Sequence, residues 1–295
     1  MKVLSMWIAA VELLTILALF SEGLRRRLQR GFEAWPGAIW LVAAGLAGVL
    51  CAAAASFNTV SLSLAALAVA YVFAPAACLC LGRGRTEGPR AGWREIVAVL
   101  LLWGPLEAGV GASLVARPVQ GRMHAVAYGV AILLALALFL LYREFPGMKY
   151  NLPRRAADLR NIAVGYAMLL VVLIPLGLLT HFLGPPHGSR LSSPLTRAGL
   201  ILVGTALPEE ILFRALIQNW LMQRFGPGNW TILAAALVFG CAHLDNAPGP
   251  LPNWRYAILA SVAGFVLGKV FQKSSSVAAS AIVHAAVNMT RHLWF

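Results

Sequence analysis

Long apolar runs, separated by short polar or basic segments, fill almost the whole chain. A membrane-crossing helix needs about 20 consecutive apolar residues. On that ruler the runs predict ten helices, over 4–23, 36–56, 58–81, 95–116, 122–142, 161–183, 195–222, 229–245, 254–272 and 274–292. Loops are marked by Gly-Arg-Gly-Arg-Thr-Glu-Gly-Pro-Arg (82–90), Gly-Pro-Pro-His-Gly (184–188) and Asn-Ala-Pro-Gly-Pro-Leu-Pro-Asn (246–253). Segment 95–116 is interrupted by Gly104-Pro105 and carries Glu107. The expected fold class is all-α, a polytopic transmembrane bundle of eight to ten helices.

Composition sharpens this picture. Hydrophobic residues make up 60% of the chain and charged residues 12%. Soluble domains carry about 25% charged residues, so this surface is built for lipid. The net charge of +13 lies in clusters at Arg25, Arg26, Arg27 and Arg30, at Arg83, Arg85, Arg90 and Arg94, and at Lys149, Arg154, Arg155 and Arg160. Basic clusters between apolar runs fit cytoplasmic loops facing anionic lipid, and alternating loops over ten crossings place both termini outside. No aromatic-basic interleaving accompanies the charge, so a lipid bilayer is the expected partner and nucleic acid is not. Cys51, Cys78, Cys80 and Cys241 all lie in apolar runs and read as packing residues. The first run lacks a small-x-small cleavage site and reads as a retained span. Abundant Ala, Gly and Arg give the chain a bacterial look, and the expected location is the bacterial cytoplasmic (inner) membrane.

Near residue 145 the polar content changes. Nearly all intramembrane ionisable residues follow it, which divides the chain into an accessory bundle (1–144) and a functional bundle (145–295). Charged groups in a bilayer cost at least about 2.5–3.5 kcal/mol each, so they default to function. Glu209 and Glu210 are adjacent carboxylates with Arg214 behind them; Glu210 and Arg214, four apart, share a helix face and can pair. Glu209 is rotated by about 100° and can address another partner. Pro208 frees a carbonyl one turn earlier, which suits a widened, hydrated site. His243 follows on the next helix; a lone His in an apolar helix is usually a hydrogen-bonded packing residue, but here a carboxylate pair precedes it by one span. His284 and Asn288, at i and i+4, present an imidazole and a carboxamide on one face of the last helix. A carboxylate and a neutral imidazole can deprotonate a water while two donors stabilise an oxyanion. No Gly-x-Ser-x-Gly, His-Glu-x-x-His or paired-aspartate signature is present.

Taken in order, Glu-Glu-x-x-x-Arg at 209–214, Phe-x-x-x-His at 239–243 and His-x-x-x-Asn at 284–288 resemble the three motifs of the CPBP (Abi, CAAX-protease and bacteriocin-processing) family, which includes the Ras-converting CAAX endopeptidases. Gly264-Phe-Val-Leu-Gly268 resembles the family's small-residue helix before the last motif, a pattern that permits close helix approach. The resemblance covers 195–295 well, 145–194 loosely and 1–144 hardly at all. It implies a CPBP-like protease core at 145–295 and a glutamate-type intramembrane peptidase acting on a membrane-anchored protein or peptide. Glu209 and His243 would activate the water, His284 and Asn288 would form the oxyanion site, and Glu210 with Arg214 would support the geometry. Many members are described as metalloproteases, so Glu209, His243 and His284 form an alternative zinc set; the favoured reading has no cofactor, because Asn288 suits an oxyanion donor better than a ligand shell. Substrates implied range from CAAX-like tails to bacteriocin or signalling peptides and the hydrophobic sorting tails of surface proteins.

Two other classes compete: a non-catalytic scaffold or immunity protein of the same fold, and a proton-coupled transporter using Glu, Arg and His as a relay. A scaffold would not need the Glu209 carboxylate, and no inverted repeat between the halves supports a transporter. Elsewhere the polar positions read blandly. Glu12 and Glu107 are packed pairs or interfacial groups, Asp245 is a loop residue, His124, His181, His187 and His292 sit at span ends or in loops, and most Trp residues mark an aromatic belt.

Overall fold

The computed structural model describes residues 2–81, 91–188, 193–246 and 250–295, with side chains from Trp7 onward. Arg83, Arg85 and Arg90, with the rest of 82–90, lie outside the described residues, as do Ala247, Pro248 and Gly249 of the later Pro-rich loop. Every described element is helical, and two compact units follow one another, Met1–Pro146 and Gly147–Phe295.

The first unit contains α1 (Lys2–Ala18), α2 (Glu22–Ala34), α3 (Ala38–Ser56), α4 (Leu62–Cys80), α5 (Trp93–Glu107) and α6, which runs through Arg117–Ala135 and a wider π-helical end at Leu136–Tyr142. The basic stretch expected to be a loop at 24–30 is instead the amphipathic helix α2. Its Ser21 caps the first turn, Arg25 donates to the carbonyls of Leu19 (2.8 Å) and Phe20 (3.0 Å), and Phe32 is buried against Tyr142. Those bonds satisfy orphan carbonyls where α1 ends and the chain turns by 96°. Segment 95–116 is shorter than expected: its helix stops at Glu107, two residues after Pro105. A buried ion pair joins Arg143 to Glu95 at 2.9 Å. Glu12 is buried on α1 against Gly129 of α6, and Glu107 is exposed and accepts from the Trp103 indole at 3.0 Å.

The second unit contains α7 (Ala156–Leu179), a long α8, α9 (Asn229–Cys241), α10 (Trp254–Lys273) and α11 (Val277–Trp294). Helix α8 continues unbroken through Pro194–Ile201, Leu202–Ala206, Leu207–Glu210, Ile211–Gln218 and Asn219–Phe225, with π-helical turns at 202–206 and 211–218. Leu169 of α7, Val266, Leu267 and Val270 of α10, and Ala279 and Val283 of α11 form an apolar core. Helices α9 and α10 pack closely at small residues. A Cβ on Gly264 would lie 3.1 Å from Ala236 Cα, and one on Gly268 2.7 Å from Ile232.

Polar ties pin the turn that launches α11. Asp158, in the first turn of α7, accepts from the Ser275 backbone (2.8 Å), the Ser275 hydroxyl (2.7 Å) and the Arg155 backbone (3.2 Å). Lys149 does not face lipid as its basic cluster suggests. Its ammonium donates to the carbonyls of Phe271 (2.9 Å), Gln272 (3.0 Å) and Ser274 (2.9 Å) at the end of α10. Burial holds that ammonium below the ordinary lysine range, with Asp158 opposing the shift.

The ten expected helices are all found, with α2 as an eleventh. Five (α3, α4, α6, α7 and α10) are long and apolar enough to cross a membrane, and a sixth span arises if the bent α1–α2 pair counts as one. Helix α7 leaves most of its apolar side chains exposed, as does the outer face of α4, which is what lipid contact requires. The chain is an integral, multi-pass membrane protein. Helices α5 and α9 are shorter than a full crossing needs, and α1 turns by 96° into α2.

Candidate active site

Pro208 sits inside α8, where it cannot donate to the helix ladder. The helix accommodates this by widening into π turns on both sides, and such turns cluster at functional sites. The widened stretch presents Glu209, Glu210 and Arg214 to α9 and α11.

Glu210 and Arg214 are fully buried, and Glu210 Oε2 lies 3.2 Å from Arg214 Nε. The guanidinium stacks over Phe239 of α9 at 4.6 Å, and Phe213 meets the same ring edge-on. None of the Arg214 nitrogens makes a hydrogen bond among the described residues, so its charge is balanced by the carboxylate and the ring face. The other Glu210 oxygen, Oε1, accepts from His284 Nδ1 at 3.1 Å. Glu209 points elsewhere, as the 100° offset requires, with Oε2 3.8 Å from His284 Nε2. His284 therefore stands between the two carboxylates. Of the two carboxylates only Glu209 keeps appreciable exposure, 21% of its side chain.

His243 is not on a helix. Helix α9 ends at Cys241, and His243 occupies the turn after it. Its Nδ1 lies 2.8 Å from the Phe239 carbonyl oxygen, an orphan acceptor of the last helical turn. Because a carbonyl only accepts, Nδ1 carries the proton and Nε2 is left as the basic nitrogen. Phe239 and Tyr256 pack edge-on to the ring at 4.7 and 4.6 Å and fix its plane. The hydrogen-bonded packing role of a lone His is thus real, but it occupies only one nitrogen.

A partly enclosed cavity of about 100 Å³ brings His243, His284 and Asn288 together under apolar walls that include Leu173, Leu259 and Val287. Asn288 makes no hydrogen bond among the described residues, so its carboxamide is available to a ligand in that space. All six candidate residues therefore gather in the second unit. His243, His284 and Asn288 line the cavity, Glu209 and Glu210 reach it through their contacts with His284 at 3.8 and 3.1 Å, and Arg214 pairs with Glu210. Among the described residues no three His, Cys, Asp or Glu side chains form a group that could hold a metal ion. Asp245 is exposed in the turn after α9.

Sequence reasoning passed over two lining residues, Tyr256 and Arg291. Arg291 was within reach of the pattern, since it follows His284 by seven positions and shares its helix face. Nothing in the sequence around Tyr256 points to the site. No curated protein and no solved structure matches the chain. Residues 191–290, which hold all three motifs, match the model of the family described as Type II CAAX prenyl endopeptidase Rce1-like, within the family that those motifs resemble.

Proposed function

We propose that the chain is an intramembrane endopeptidase that hydrolyses a peptide bond near the C-terminus of a membrane-anchored or lipidated protein, in a bacterial cytoplasmic membrane. The observation that carries this reading is the shared cavity: an imidazole with a free Nε2, a second imidazole flanked by carboxylates, and an unpaired carboxamide. The Rce1-like match supports CAAX-type intramembrane proteolysis as the general activity. In this reading Gly147–Phe295 is the protease core and Met1–Pro146 an accessory bundle.

A water donates one hydrogen bond to His243 Nε2 and gives its other proton to Glu209 as its oxygen bonds to the scissile carbonyl carbon. The carbonyl oxygen becomes an oxyanion. Asn288 donates to it from its amide, and His284 from Nε2 when the ring carries both protons. The C–N bond then breaks, and the proton taken from water passes to the leaving amine. Glu210 acts through His284, holding Nδ1 so that Nε2 faces the cavity, and Arg214 holds Glu210. Such a positioned acid–base pair contributes about 10²–10⁴-fold in rate.

The test compares protein termini in membranes and medium of cells carrying either wild type or Glu209→Gln at equal abundance. Loss of one or a few defined C-terminal cleavages in the variant is expected. Identical termini in the two strains would overturn the reading.

A further inference from the structure

We propose that Arg291 anchors the free C-terminal carboxylate of the substrate. This rests on the peptidase reading and deepens it by naming what the far end of the cavity recognises. Arg291 lines the same cavity as His243, His284 and Asn288. Its guanidinium lies 4.6 Å from the Phe182 ring centroid and 5.7 Å from that of Tyr256, and those two rings contact each other at 5.0 Å. Aromatic faces hold the guanidinium in place, and one of its five N–H donors meets the Tyr256 hydroxyl, which leaves the others for a ligand. No carboxylate pairs with it among the described residues. A cation held in a mostly apolar cavity without a carboxylate partner and with N–H donors to spare is a site for an anion, and a guanidinium fits a carboxylate through two parallel hydrogen bonds.

The remaining walls choose among anions. Leu169, Leu173, Leu259, Val287 and Phe295 suit apolar side chains leading up to the charge. Spacing agrees with a peptide. Arg291 lies seven residues beyond His284, a rise of about 10 Å along α11. Three extended residues cover about the same distance. A carboxylate on Arg291 therefore sets a peptide bond about three residues from the chain end beside His284.

The test uses two fluorescent peptides of identical sequence, ending in Ala-Leu-Leu, one with a free carboxylate and one with a C-terminal amide. Binding is measured to the Glu209→Gln protein in phosphatidylcholine nanodiscs, so that no turnover is needed. At least tenfold tighter binding of the carboxylate peptide is expected, with the preference lost in the additional variant Arg291→Gln and largely retained in Arg291→Lys. Equal affinity for both peptides, no binding of either, or a preference untouched by Arg291→Gln would overturn the assignment. Cleavage by the wild type separates the two readings. Equal turnover of both peptides sinks the anchor and keeps the peptidase. A carboxylate preference in binding without any turnover keeps the anion site and sinks the peptidase.

Discussion

Glu210 Oε1 accepts from Nδ1 of His284 at 3.1 Å, across 74 residues of sequence, while its other oxygen faces Arg214 at 3.2 Å. One buried carboxylate thus orients an imidazole and balances a guanidinium. Removing one member of a buried charge pair costs about 3–5 kcal/mol, because the other is left uncompensated. Glu210→Ala should unfold at markedly lower temperature in detergent. Glu210→Gln keeps an acceptor for Nδ1, so it should fold with a smaller loss yet turn over at least about tenfold more slowly. Thermal unfolding followed by Trp fluorescence, alongside turnover, checks both; wild-type stability in Glu210→Ala would refute the role.

His243 offers a cleaner separation of packing from chemistry. Its Nδ1 caps the Phe239 carbonyl, and only Nε2 is free to act as a base. His243→Asn can still donate to that carbonyl but has no basic nitrogen. The variant should lose no more than about 1 kcal/mol of stability and about 10²–10⁴-fold in kcat. An active His243→Asn protein would remove this residue from the mechanism.

Gly240 sets how closely α9 approaches α10. A Cβ there would lie 2.6 Å from the Ala257 carbonyl oxygen and clash with the Ser261 hydroxyl. Backbone cannot yield cheaply, so Gly240→Ala should cost about 1–3 kcal/mol and lower turnover by shifting His243, three residues on. Gly199→Ala on α8, where a Cβ meets open space, should be neutral or mildly stabilising. Unfolding midpoints of the two variants in the same detergent decide the matter.

Asp158 should matter to stability alone. Two hydrogen bonds from Ser275 tie it to the turn before α11, and one from the Arg155 backbone caps the start of α7. Asp158→Ala should lower stability by about 1–3 kcal/mol, while turnover per folded molecule stays within about twofold of wild type. Turnover normalised to the folded fraction is the readout.

The helices were legible because a lipid-facing segment must be apolar along its length, and runs such as 36–56 and 161–183 leave little choice. Helix α2 was not: its Arg-rich stretch looks like a loop, and only the bonds from Arg25 back to Leu19 and Phe20 show why it is helical. Within one helix, spacing carries geometry, so the Glu210–Arg214 pair and the shared face of His284 and Asn288 could be read directly. Between helices it carries none. That Glu210, rather than a water or a backbone carbonyl, holds His284 depends on how α8 packs against α11. The same limit hid Tyr256, brought to His243 by the α9–α10 approach, and the grip of Lys149 on the end of α10. The apolar surroundings of His243 continue the helical pattern to 245, whereas the helix ends at Cys241 and the imidazole itself completes the helix end.

Hydrolysis driven by Glu209 is tested most directly with purified protein in nanodiscs, using a substrate identified by terminus mapping. Wild type and Glu209→Gln are compared for turnover and for thermal stability in the same preparation. The account predicts an unfolding temperature close to wild type and a loss of at least about 10²-fold in kcat, since the variant keeps the side chain's shape and removes its basicity. Turnover by Glu209→Gln at the wild-type rate would contradict it.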